Sequence, residues 1–330
     1  MKKYPKILIS PGDPSGIGYE ILFDLIKKKF PAHIIVVTSF DMLKERAELL
    51  RKKINLIKVD AKQKNLPKLN KNDLLIHDIK SKKKVAIGSP SIKHAPMIIE
   101  SLNLCIDLCT SEDSDAIVTG PVQKNILLRY GEKFSGHTEY IATKTGGTPI
   151  MMLHSKSLRI ALLTTHVPLK KVPKLISKDR IIKYVEIISL DLHEKFGIKK
   201  PKINVCGLNP HAGEDGYIGK EEKEIILPAI KDLKKRGYNV FGPYSADTIF
   251  TRNDADLILA MFHDQALPVI KTLGFGSIVN TTLGLPIVRT SVDHGTAIDI
   301  AGTNKADSSS LIAAIQASID ILKNKNDWKI

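Results

Sequence analysis

Three apolar runs in this chain end on a histidine. "LRIALLTTH" climbs through Ile160 to Leu163 and reaches His166, "KINVCGLNPH" climbs through Ile203 to Leu208 and reaches His211, and "LILAMFHD" ends on His263 and Asp264. Imidazole suits zinc, copper, iron, nickel or cobalt, and three such ligands leave coordination positions open for substrate or water. A lone histidine in such a place more often closes a loop through hydrogen bonds. Three of the chain's 10 histidines in the same context argue for one shared divalent metal site. Such an ion can assist a redox step or activate water for hydrolysis, and the pattern alone does not choose between them.

Two further constellations could hold an anion. In "FSGHTEYIA", Gly136 permits a tight backbone and His137 and Thr138 open a helix, whose free N–H groups suit a negative charge. A plain N-cap by Thr138 with Glu139 in the first turn is the alternative. Downstream, Lys271, Asn280 and Arg289 are separated by glycine-punctuated loops. Lysine and arginine are the standard partners of phosphate or carboxylate, with ordinary surface ion pairs as the alternative. Asp293-His294 reads as a dyad or a turn. Gly12, Gly16 and Gly18 fit neither the dinucleotide fingerprint nor the P-loop, and no G-x-S-x-G elbow or H-E-x-x-H helix is present. No nucleophile can be nominated.

These residues need elements to position them. Strands are expected at 6–10, 33–39, 74–78, 116–120, 148–153, 159–165, 203–208, 257–262 and 277–280, with amphipathic helices between them. Asp13-Pro14 reads as a cap and first turn, followed by Ile17, Ile21, Leu25 and Lys28 at helical spacing. Residues 179–196 carry Ile181, Val185, Ile188 and Leu192 on one stripe and stop at Gly197. The segment from Glu221 and Glu222 to Gly237 has acids first and lysines last, as the helix dipole favours, and Pro228 should kink or delay it. A last helix is expected from Ser309 to Lys323. The alternation defines an α/β fold with largely parallel strands, in which ligands sit beyond the carboxyl ends of the strands. All three histidines fall there.

The chain has 330 residues, enough for two domains or one large α/β unit, and no Pro/Gly/Ser-rich linker separates two halves. Its formal charge of +15 comes from scattered lysines with few arginines and no aromatic interleaving, which argues against a nucleic-acid footprint. Cys105, Cys109 and Cys206 are too few and unpatterned for a disulfide framework, so a reducing cytoplasm is expected. Neither a secretory signal nor a membrane-spanning apolar run is visible, so no membrane partner is expected.

Eight blocks in order, "GDPSGIGYE", "GPVQK", "FSGHTE", "TTHVPL", "GLNPHAGEDGYIGKEE", "GPYSADTIF", "AMFHDQALPVIK" and "GFGSIVNTTLGLPIVRTSVDHGTAIDIAG", resemble the 4-hydroxythreonine-4-phosphate dehydrogenase family of vitamin B6 biosynthesis. They run from residue 12 to 302. The resemblance implies two α/β/α domains like those of isocitrate and isopropylmalate dehydrogenases, with the active site in the interdomain cleft. The expected division is 1–129 with 275–330, and 130–274, the second carrying the metal ligands and the dimer interface. It further implies a homodimer with shared active sites, one ligand coming from the other chain. His166, His211 and His263 are then the ligands of a divalent metal (zinc, magnesium or cobalt). His137, Thr138, Lys271, Asn280 and Arg289 bind substrate, Asp247 and Asp264 are acidic groups near the site, and NAD or NADP accepts the hydride at contacts left unplaced.

The implied substrate is a small phosphorylated amino acid, 4-phosphooxy-L-threonine. Held by the metal through its C3 hydroxyl and amino group, it is oxidised to a β-keto acid, 2-amino-3-oxo-4-phosphooxybutanoate. Loss of CO₂ then leaves 3-amino-2-oxopropyl phosphate. A sugar-acid phosphate dehydrogenase acting on threonate or erythronate 4-phosphate, and a metal-dependent phosphohydrolase, are the alternatives. Ala266 stands where the family pattern has glycine, and no ligand position is affected.

Overall fold

The strand runs are apolar on successive residues, as strands covered on both faces by helices must be. In the computed structural model, which describes residues 4–81, 84–134, 136–155, 157–274 and 278–325, they form β1 (Lys6–Ser10), β2 (His33–Thr38), β3 (Asn55–Lys58), β4 (Asp73–Asp78), β5 (Ala116–Thr119), β6 (Ile150–His154), β7 (Arg159–Leu162), β8 (Ile203–Cys206), β9 (Val240–Tyr244), β10 (Leu257–Ala260), β11 (Val279–Leu283) and β12 (Val288–Ser291). The helices are α1 (Phe40–Leu49), α2 (Ala95–Thr110), α3 (Lys124–Tyr130), α4 (His137–Thr145), α5 (Val172–Leu175), α6 (Lys178–Phe196), α7 (Leu227–Lys235), α8 (His263–Leu273) and α9 (Ser309–Asn324).

The chain divides into two units, Met1–Gly147 with Leu285–Ile330, and Thr148–Gly284. The first has strand order β3-β4-β2-β1-β5-β12, parallel throughout. Helix α2 packs on β1, β2 and β5, and α9 on β5 and β12. The second has order β11-β6-β7-β10-β8-β9. There β6 runs antiparallel to both β7 and β11, and the rest is parallel. Alternating residues of its strands feed two cores: Val205, Leu259 and Met261 pack with the stripe of α6 and with α7, while Cys206, Ile258 and Ala260 pack with Ala266, Leu267 and Ile270 of α8. This is a helix layer on each face of a sheet. No helix among the described residues is long and apolar enough to cross a membrane.

Several details depart from the sequence reading. The first unit extends to 147 rather than 129 because α4 packs against α2. The second extends to 284 because β11 pairs with β6. Residues 275–277, at the expected boundary and strand start, lie outside the described residues, as does Ser135. Strands β3, β9 and β12 were not expected; they are short, and carry polar or Gly-Pro residues that hide the pattern. The helix expected from Asp13 is instead a pair of 3₁₀ turns, Ile17–Tyr19 and Ile21–Lys27. Asp13 Oδ1 accepts from the backbone N–H and the hydroxyl of Ser15 at 2.9 and 2.6 Å, a local turn rather than a cap. The buried guanidinium of Arg46, paired with Glu20, donates to the carbonyls of Pro14 and Gly16. Those carbonyls would otherwise accept the first α-helical bonds. Pro228 has no N–H to offer Glu224, and the chain widens into a π turn over Glu222–Ile226 before α7.

Candidate metal and substrate-binding residues

Strands β7 and β10 are parallel neighbours, with Ile160 opposite Ile258 and Leu162 opposite Ala260. The pairing continues past the strand ends, where Leu163 N–H donates to the Ala260 carbonyl at 2.8 Å and the Thr164 hydroxyl donates to the Met261 carbonyl at 2.7 Å. That register delivers His166 and His263 side by side, ring centroids 5.5 Å apart and planes at 48°. His263 is the first residue of α8, and its Nδ1 lies 2.6 Å from Asp264 Oδ1. An ionised carboxylate only accepts, so Nδ1 carries the proton and the Nε2 lone pair is left for a ligand bond. Gln265 braces the same corner: its Oε1 accepts from Met261 N–H and its Nε2 donates to the Gly207 carbonyl, both at 2.7 Å.

Strand β8 lies on the other side of β10 and leads to His211 by an unusual path. His211, Ala212, Gly213, Glu214 and Asp215 all have positive φ, at 53, 53, 80, 41 and 54°. A left-handed turn costs roughly 1–2 kcal/mol for each non-glycine residue, so its surroundings must hold it. His211 Nδ1 faces Asp247 Oδ2 at 3.8 Å. The Asp247 carboxyl lies below the usual range, first through a hydrogen bond from Ser245, then through His211.

His166 thus lies beside His263, and His211 faces Asp247. No group of three or more His, Cys, Asp or Glu side chains among the described residues is placed to hold a metal ion. The donor chemistry still fits: two adjacent imidazoles, one with its tautomer set by a carboxylate, match two ligands of a zinc- or cobalt-type ion.

The anion-binding candidates are distributed over both units. In the first, Arg289 on β12 is 3% exposed, and its guanidinium donates to the hydroxyls of Thr119 at 2.7 Å and Thr138 at 3.4 Å. Burial pulls its pKa down to about 10, opposed by Glu139, so it stays a cation at neutral pH. His137 packs edge-on against Phe134. Desolvation, then Arg289 and Lys124, push its pKa down to about 3, so the ring is neutral. Gly136, not Thr138, caps α4, which leaves the Thr138 hydroxyl to Arg289. In the second unit Asn280 sits on β11 with its buried Oδ1 lacking a hydrogen-bond partner among the described residues, and Lys271 is in the last turn of α8. The sequence pattern assigns no site role to Gln265, Asn209 or Glu222; the visible signals are the "HDQ" and "GKEE" strings, where Glu222 reads as an ordinary first-turn acid.

Imidazoles gathered at parallel strand ends and a buried cation flanked by hydroxyls place the chain among α/β proteins that take small anionic ligands beyond the carboxyl ends of their strands. A family model described as "Pyridoxal phosphate biosynthetic protein PdxA" matches residues 31–318, and the chain belongs to that family. It is 44% identical over 325 residues to a 4-hydroxythreonine-4-phosphate dehydrogenase of Colwellia psychrerythraea, covering 97% of this chain and 99% of the relative. Among solved structures, the Klebsiella pneumoniae enzyme of the same name superposes with a TM-score of 0.86 at 30% identity, covering 96% of this chain and 99% of that one. One from Burkholderia phymatum gives 0.81 at 33% identity, covering 96% and 98%.

Proposed function

We infer that this chain is an NAD(P)-dependent dehydrogenase of pyridoxal phosphate biosynthesis that oxidises 4-phosphooxy-L-threonine to 2-amino-3-oxo-4-phosphooxybutanoate, which decarboxylates to 3-amino-2-oxopropyl phosphate. What carries the reading is the adjacent pair His166 and His263 at the ends of β7 and β10 in a chain of this family. His166, His263 and a His211 from a second copy would hold a divalent zinc-, magnesium- or cobalt-type ion. When bound, that ion supplies a Lewis acid that eases loss of the substrate's hydroxyl proton, and the nicotinamide takes the hydride.

The protein's own residues do the rest. Asp264 keeps His263 in one tautomer, and Asp247 orients His211. Arg289 is a cation already desolvated, so it binds the phosphate without shedding much water. Thr138 and Lys271 add hydrogen bonds to the phosphate, neutral His137 offers one without a charge, and the Asn280 side-chain carbonyl can accept from the substrate's amino or hydroxyl group. We read the oligomer as a homodimer with shared sites. Large apolar side chains stay exposed in the segments that follow the histidines: Leu169 at 70%, Tyr217 at 91%, Ile218 at 45% and Leu273 at 68%. A chain that leaves its first unit and returns to it supports the isocitrate/isopropylmalate dehydrogenase-like reading of the architecture. Free, buried Cys105, Cys109 and Cys206 suit a cytoplasmic setting.

The test is nicotinamide reduction by purified protein given 4-phosphooxy-L-threonine, NAD⁺ or NADP⁺, and each metal in turn. Turnover with this substrate, faster than with threonate or erythronate 4-phosphate, is expected. No reduction with any metal overturns the reading.

A further inference from the structure

We propose that Glu222, linked through Asn209, is a positioning residue that sets the His211 imidazole before any metal arrives. The proposal rests on the reading of His211 as a metal ligand. Glu222 is 4% exposed although it is a carboxylate at the start of a helical segment. Its Oε1 accepts from the backbone N–H groups of Leu208 and Asn209, both at 2.7 Å, and its Oε2 accepts from Asn209 Nδ2 at 2.9 Å. The same Nδ2 donates to Glu221 at 2.8 Å, so both acids grip one amide. These bonds fix the two residues before Pro210 and His211, at the point where the chain enters its left-handed run.

The surrounding glycines are shaped to this carboxylate. A Cβ on Gly213 would lie 2.5 Å from Glu222 Oε2, and one on Gly207 would lie 3.1 Å from Oε1. A Cβ on Gly219 would lie 2.1 Å from Asn209 Nδ2. The run is therefore wrapped around Glu222, and the buried carboxylate supplies the acceptors that its entry needs. A left-handed backbone of this length has no stability of its own. Without Glu222 it relaxes, and the His211 ring, itself exposed, loses its fixed direction. The turn then needs metal to order it, and affinity falls by the cost of that ordering.

The test uses full-length protein titrated with Co²⁺ alone and read by visible absorption, with thermal unfolding of the metal-free protein in parallel. Glu222→Ala should weaken Co²⁺ binding by about 10- to 100-fold, the usual effect of removing a group that orients a ligand. Glu222→Gln keeps an acceptor for Leu208 and Asn209 and should recover part of the loss. Asn209→Ala should lie between wild type and Glu222→Ala. Should Glu222→Ala fail to fold, the Gln and Asn209 variants carry the test. Native Co²⁺ affinity in the folded variants, with only the unfolding temperature lowered, overturns the proposal provided His211→Ala does weaken binding. Native affinity in His211→Ala instead removes the ligand assignment and this proposal with it.

Discussion

The Asp264 carboxylate holds the Nδ1 of its sequence neighbour His263 at 2.6 Å, and this one contact decides which nitrogen is left to coordinate. Asp264 itself is largely exposed, at 83% of its side chain, so it adds little to stability. Asp264→Ala should lower kcat/KM by about 10- to 100-fold while leaving the unfolding temperature close to native. Steady-state kinetics beside a thermal melt check this; unchanged kcat/KM shows that the carboxylate does not set the ring.

Arg289 gives a different signature. Its guanidinium is buried and donates to Thr119 and Thr138, so an anion meets a cation whose desolvation the fold has already offset. Arg289→Ala should raise KM for the phosphorylated substrate by a factor of ten or more, since a hydrogen bond to a charged group contributes about 1.5–3 kcal/mol, with a smaller effect on kcat. Arg289→Lys should not restore it, because an ammonium cannot reach both hydroxyls and a phosphate in one plane. An unchanged KM in Arg289→Ala removes the phosphate role, and one in Arg289→Lys removes the need for a planar guanidinium.

Two buried histidines make the fold less stable in acid. His137 is pushed down to about 3 and His154 to about 4, each first by desolvation, then by neighbouring cations. The unfolded chain has ordinary histidines near 6.5, so between that pH and about 3–4 it binds more protons than the native state. Stability from these two rings is therefore full above pH 6.5 and lost as pH falls toward 4 and below. Histidine resonances followed by NMR should show both rings neutral at pH 5; a titration midpoint near 6.5 for either contradicts the burial argument.

Much of this is legible in the sequence. Runs such as Leu257–Phe262 announce strands by unbroken apolarity, and a histidine at the end of such a run lies where parallel sheets present ligands. The stripe of α6 and its stop at Gly197 follow from side-chain period and one left-handed glycine. What stayed hidden depends on partners distant in sequence. The turns at 17–27 look helical until Arg46 takes the carbonyls of Pro14 and Gly16. The left-handed run at His211 has no local signature beyond its glycines, because the carboxylate that holds it, Glu222, arrives from the next helical segment. That His211 faces Asp247 while His166 and His263 face each other is not legible from spacing along the chain, which carries no information on which side chains meet.

The proposed sharing of ligands between copies is tested most directly by mixing two variants each expected to be inactive alone, His211→Ala and His263→Ala. Each keeps what the other lacks. Random reassortment of subunits should restore about a quarter of native turnover, because half of the dimers are mixed and each has one intact site of two. Heterodimers shown to form but inactive contradict a metal centre completed by His211 of a second copy.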